Sequence, residues 1–237
     1  MRGIIQALAV AAMVVTSAPA PALATAWAGP QRLAELPLVE APAAGRGDTL
    51  AVLYSGDGGW APIDKGVARS LASAGVPVVG VNSLRYFWNR RSPEEAATDL
   101  EIVLRHYMAV WGKSRIVLAG YSFGAGALPS IVQKLPPDLR SRIRLLALVG
   151  VGDTGELKFH VSEWLTHKPA DGYPIAPTLA SLEGVPMTCI YGSQDKEGEA
   201  CVAFPEGLVR RIELPGNHHF NGDYAAVAGA IEQAGGL

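Results

Sequence analysis

The sequence predicts an α/β protein, a mostly parallel doubly wound sheet with helices on both faces, on three observations. Short apolar runs alternate with helix-patterned segments from about residue 48 onward, the signature of strand–helix–strand units. The pentapeptide Gly120-Tyr121-Ser122-Phe123-Gly124 stands between one such run, Ile116-Val117-Leu118-Ala119, and a helix-like segment. Two adjacent histidines, His218 and His219, precede the last helical segment.

Taken in order, residues 1–24 read as a secretory signal peptide. Arg2 supplies a positive start, residues 4–15 are apolar but too short to span a bilayer, and Ala22-Leu23-Ala24 is a small-x-small cleavage site. Maturation near Thr25 implies an exported, periplasmic protein. Residues 25–47 are rich in alanine and proline and read as a loose lead-in, with residues 36–41 adding an edge strand where Pro37 is tolerated. Residues 48–237 are expected to form a single domain.

Within that domain the strands are expected at 49–55, 76–81, 114–119, 143–151, 185–191 and 208–214. Helices are expected at 64–74 with Asp64 as cap, at 93–111 with Ser92 as cap, at 124–135 with a bend at Pro129, and at 223–234. Residues 155–166 read as a short hairpin and 168–184 as a covering loop containing Pro169, Pro174 and Pro177.

A chain of 237 residues that is 49% hydrophobic can bury one sizeable core. A net charge of −2 argues against a general nucleic-acid binder. In an oxidising compartment Cys189 and Cys201 are expected to pair, closing the segment 191–200 at both ends.

A Gly-x-Ser-x-Gly between a buried strand and a helix is the nucleophile elbow of α/β-hydrolases. The alternative is an ordinary glycine-rich turn of a doubly wound sheet. The elbow reading makes Ser122 a nucleophile and requires an acid and then a histidine further along the chain. Asp195, after the penultimate strand, is the expected acid, with Asp153 as rival. His218 is the expected base, because an aromatic residue two positions on, Phe220, can pack under it; His219 is the alternative base. No acid or cysteine flanks the histidines at metal-ligand spacing, so neither a metal nor a cofactor is expected.

The oxyanion donors are expected to be the amide of Phe123 and that of Asp57 or Gly58, in Ser55-Gly56-Asp57-Gly58-Gly59-Trp60. That glycine loop lacks the Lys-Ser/Thr of a nucleotide phosphate loop.

These motifs, with Ser83-Leu84-Arg85-Tyr86-Phe87-Trp88, Ser92-Pro93-Glu94-Glu95 and Pro215-Gly216-Asn217-His218-His219-Phe220, resemble the VirJ/AcvB family of bacterial proteins from about Leu36 to the C-terminus. The resemblance implies a periplasmic α/β-hydrolase with Ser122, Asp195 and His218 as its triad. It also implies hydrolysis of aminoacyl-phosphatidylglycerol, lysyl or alanyl, so the expected partner is a phospholipid headgroup at the membrane surface. Some members are associated with virulence and type IV secretion, which adds secretion-system proteins as a partner class.

For such a substrate Asp57, Asp153 or Glu156 is expected to meet the ammonium group. Arg85 and Trp88, in the loop 85–91, are expected to meet the phosphate beside the lipid surface. The competing readings are a general periplasmic carboxylesterase and a non-enzymatic interaction protein that retains the fold.

Overall fold

The computed structural model describes residues 29–45, 47–159, 172–196 and 198–237. The expected signal peptide at 1–24, the start of the expected lead-in, most of the expected hairpin and the first part of the expected covering loop lie outside the described residues. In chain order the strands are β1 (Leu38–Ala41), β2 (Thr49–Tyr54), β3 (Val78–Val81), β4 (Arg115–Tyr121), β5 (Ile143–Val149), β6 (Thr154–Gly155), β7 (Tyr173–Pro174), β8 (Met187–Gly192) and β9 (Arg210–Leu214). The main sheet runs β1-β3-β2-β4-β5-β8-β9, and β6 pairs with β7 apart from it. Among the described residues of the main sheet only the β1–β3 edge pair is antiparallel.

The helices are α1 (Gly29–Glu35), α2 (Pro62–Ser73), α3 (Ser83–Tyr86), α4 (Pro93–Val110), α5 (Phe123–Lys134), α6 (Pro137–Arg140), α7 (Ile175–Ala180), α8 (Glu199–Ala203) and α9 (Tyr224–Gly235). No helix among the described residues is long and apolar enough to cross a membrane.

Alternation along the central strands splits the core in two. Leu50, Val52 and Tyr54 of β2 join Ile116 and Leu118 of β4 on one face, covered by α4 and α5. Ala51 and Leu53 join Val117 and Ala119 on the other, covered by α2 and α9. Because successive strand side chains point to opposite faces, a fully apolar run is what a sheet buried on both sides requires. Position in the sheet then decides where chemistry can occur. The chain passes from β2 to β3 on one side and returns to β4 on the other, so the connections diverge at the carboxyl ends of β2 and β4.

Three expectations need correction. The lead-in is not loose throughout: residues 29–35 form α1, whose Arg32 makes paired hydrogen bonds of 2.7 Å to Asp99 of α4. Tyr86 donates to the same carboxylate at 2.6 Å. Tertiary bonds that only the fold assembles thus hold a short helix with little local propensity. Second, α2 starts at Pro62, so Asp64 is not its cap. Asp64 sits two residues inside and accepts a hydrogen bond from the Ala61 amide at 2.9 Å. Third, the segment read as a covering loop contains β7 and α7.

That cover is tied to α5 where Pro129 interrupts the helix. Proline has no N–H to give to the preceding turn. The Tyr173 hydroxyl inserts one residue further on, donating to the Gly126 carbonyl (2.5 Å) and accepting from the Ser130 amide (3.2 Å).

Cys189 of β8 and Cys201 of α8 form a disulfide across a sequence separation of 12, with Cα atoms 5.7 Å apart. Closing a loop of that size stabilises a fold by about 3 kcal/mol, chiefly by constraining the unfolded chain. Replacing both cysteines by alanine is therefore expected to lower the unfolding free energy by about 2–4 kcal/mol. Urea titration checks it: a midpoint unmoved by the double substitution would show that the bridge does not constrain the unfolded chain.

Candidate active site

Ser122 ends β4 and begins α5 with φ 51° and ψ −115°. A non-glycine residue at positive φ is strained and persists only where its surroundings impose it. The Ser122 amide donates to Val149 of β5 at 2.8 Å, and its carbonyl accepts from Gly126 at 3.0 Å. A Cβ at Gly120 would lie 2.5 Å from the Ala125 nitrogen, and one at Gly124 would lie 2.5 Å from the Tyr54 carbonyl oxygen. Backbone blocks both positions, which explains glycine two residues either side of the serine.

Two further loops converge on Ser122. The turn after β2 is closed by a hydrogen bond from the Gly59 amide to the Gly56 carbonyl (3.1 Å). Asp57 and Gly58 are its central residues, so their amides take no part in the turn's own hydrogen bond. A Cβ at Gly56 would be 3.6 Å from the Ser122 Cβ. On the other side Phe123 opens α5, whose first amides have no carbonyl a turn earlier to bind, and the helix dipole adds positive potential there.

The base and acid meet across the ends of β8 and β9. His218 Nδ1 lies 2.9 Å from Asp195 Oδ2, and Asp195 is buried. In that arrangement Nε2 is the ring nitrogen that a catalytic triad would direct at the serine. Gly150 makes the room, since a Cβ there would lie 2.9 Å from the His218 ring.

Asp153, the rival acid, is exposed, and its carboxylate accepts from the neighbouring Thr154 Oγ1 at 3.0 Å. His219 is exposed, and its Nδ1 shares a 2.9 Å hydrogen bond with the Tyr121 hydroxyl rather than with an acid. Tyr121 also donates to the His218 carbonyl at 3.2 Å. Phe220 is buried on the α2–α9 side of the sheet.

Ser122, His218 and His219 line a cleft of about 450 Å³ with the 56–59 turn, the first turn of α2, Tyr121 and Tyr224. Of the residues expected to bind substrate, only Asp57 lines it. Arg85, Trp88, Asp153 and Glu156 are not among its described lining residues. Arg85 is turned outward because its segment forms α3, capped by Asn82 accepting from the Arg85 amide at 3.2 Å. Trp88 is 59% exposed and stacks on Phe159. Glu156 lines a separate cleft with Arg90, Arg91 and Lys158.

Sequence reasoning missed the role open to Asp64. It lines the Ser122 cleft, is 1% exposed, and its Oδ1 has no hydrogen-bond partner among the described residues. Burial pushes its carboxyl up to about 7, against the opposing pull of the Ala61 amide and of Lys65. The signal was Pro62 followed by an acid two residues on. That is a helix start whose carboxylate folds back on the Ala61 amide instead of standing in solvent.

The profile of the family described as bacterial virulence protein (VirJ) matches residues 48–235. The chain belongs to the VirJ family. No curated protein matches it. Among solved structures, Est1E from Butyrivibrio proteoclasticus is 15% identical with a TM-score of 0.58, over 84% of this chain and 93% of that one. An esterase domain from Rhodothermus marinus is also 15% identical (TM-score 0.56, 84% and 89% covered). An α/β serine hydrolase homologue from Coxiella burnetii is 18% identical (TM-score 0.56, 83% and 89% covered). At such identities the likeness carries the fold: this VirJ chain has the α/β-hydrolase fold.

Asp64 gives this VirJ protein a pH dependence of definite sign. Its folded carboxyl is raised from 3.8 to about 7, so between those values the native state holds a proton that the unfolded chain has lost. Its contribution is fully favourable at the acid end and is lost as pH rises through about 7, by at most about 1.4 kcal/mol per pH unit. Asp64→Asn should flatten that part of the stability curve. Thermal melts of both proteins from pH 5 to 8 check it; parallel curves would contradict it.

Proposed function

We propose that the protein is a periplasmic serine esterase that hydrolyses the aminoacyl ester of aminoacyl-phosphatidylglycerol, lysyl or alanyl. The observation that carries this reading is the charge of the cleft. Two carboxyl groups, Asp57 and Asp64, line it with Ser122, and no lysine or arginine is among its described lining residues. An acyl group bearing an ammonium suits such a wall; a plain fatty or acetyl group gains nothing from it. The Cys189–Cys201 bond and the signal-like residues 1–24 support export to an oxidising compartment.

In this mechanism Ser122 Oγ attacks the ester carbonyl while His218 Nε2 takes its proton. Asp195 holds the imidazole through Nδ1 and stabilises the imidazolium. The oxyanion is held by the Phe123 amide and by the Asp57 or Gly58 amide, donors already in place before the charge develops. As the tetrahedral species collapses, the ester C–O bond breaks and His218 returns its proton to the departing glycerol oxygen of the lipid. Water, deprotonated by the same nitrogen, then attacks the acyl-enzyme and frees both the amino acid and Ser122.

The test is release of free amino acid from lysyl- and alanyl-phosphatidylglycerol in mixed micelles. Wild type should release it, and Ser122→Ala should lower the rate by about 10³-fold or more. Asp195→Asn should cost about 10³–10⁴-fold with the fold intact by circular dichroism. Folded wild-type protein that releases neither amino acid would sink the reading.

A further inference from the structure

A carboxyl oxygen buried without a partner is costly, and native structures rarely leave one without a reason. Asp64 is such a group, and it lies in the wall of the Ser122 cleft rather than in the closed core. Its other oxygen is committed to the Ala61 amide, so Oδ1 is the acceptor with unspent capacity. The carboxyl cannot swing away easily. It stands in the first turn of α2, and α2 is pressed so closely on α9 that a Cβ at Gly66 would lie 2.6 Å from the Tyr224 ring.

Its position relative to the chemistry follows from the chain. The 56–59 turn that approaches Ser122 runs through Trp60 and Ala61 directly into α2. A carbonyl held between the Phe123 amide and that turn therefore has the first turn of α2 as a neighbour within the same cleft. Asp57 shares the cleft but is only half-buried, and a carboxylate facing water discriminates weakly between charged and neutral groups.

We infer that Asp64 receives the ammonium of the substrate's acyl group and sets the site's preference for amino esters over neutral ones. The inference rests on reading the cleft as an aminoacyl-ester site. In the empty protein the desolvated carboxyl keeps its proton cheaply. An entering ammonium supplies both the missing donor and the countercharge, so the carboxyl ionises as the pair forms and its proton passes to solvent. A buried charge-assisted hydrogen bond of this kind discriminates more strongly than one at the surface. A neutral acyl group of the same size leaves the acceptor unmet. Asp64 is then a substrate-binding residue, separate from the proton-transfer machinery.

The experiment compares two soluble esters of one alcohol, the glycerol monoesters of alanine and of propionic acid, which differ by the amino group. Wild type should favour the alanine ester in kcat/KM by about 10- to 100-fold, the range of a hydrogen bond to a charged group. Asp64→Asn keeps an oxygen for the Ala61 amide and the shape of the side chain but removes the charge. It should bring the ratio close to one, mainly through KM for the alanine ester. Asp64→Glu keeps the charge and should keep most of the preference. A ratio within one sample does not depend on how much of a variant folds.

A preference that survives Asp64→Asn, or wild type with no preference, overturns the inference. Hydrolysis of neither ester by folded wild type overturns it together with the esterase reading. The lipid reading fails separately: a protein that prefers the alanine ester through Asp64 yet leaves the lipids intact keeps this inference and loses the lipid. A protein that cleaves the lipids while Asp64→Asn keeps the ratio does the reverse.

Discussion

A serine held at positive φ relaxes unless every neighbour denies it somewhere to go, and in this fold the denial comes from backbone on both sides. The strand β4 delivers Ser122 with its amide bonded to β5, and α5 takes up its carbonyl at once. Gly120 and Gly124 pack against main-chain atoms of α5 and of the end of β2. The close approach at Gly124 has a second effect. It draws the end of β2 against the start of α5, and so sets the glycine turn that follows β2 beside the nucleophile. The candidate oxyanion donors and the candidate nucleophile are placed by one packing contact, and the switch in strand order opens the space above them.

The Ser122 cleft differs in charge from its neighbours. Its described lining carries carboxyls and no lysine or arginine. Lys65 and Arg69 line a depression beside Trp60 along α2, and near the cover Arg90, Arg91 and Lys158 share a cleft with Glu95 and Glu156. Inside a cleft with limited water a carboxyl polarises its contents more than the same group does on an open surface. Segregation of this kind biases which end of a zwitterionic or mixed-charge molecule enters first.

Much of this was legible in the chain because it rests on local rules. Apolar runs separated by helix patterns announced the sheet, and glycines at fixed spacing announced the strained turn. Ser92, Pro93 and Glu95 announced the start of α4, where the capping box forms. The adjacent histidines were ranked in the sequence only through the aromatic Phe220 two positions beyond His218, because both lie in one loop. Their difference is which partner each meets, Asp195 for His218 and Tyr121 for His219. The short helix α1 was hidden for a related reason: its anchor, Arg32 on Asp99, spans 67 residues. Asp64 was visible as a helix-start acid, but only assembled packing shows that its carboxyl is buried in the cleft wall.

Tyr121 has a mechanical consequence. It precedes the nucleophile by one residue, and its hydroxyl grips the loop of the base at the His218 carbonyl and the His219 ring. Serine and imidazole are therefore mounted on one bracket at the tip of β4. A displacement of that strand end is thereby passed to both, to the serine through the chain and to the imidazole loop through hydrogen bonds. For the proton exchange proposed between them, a drifting frame costs less than a drifting gap.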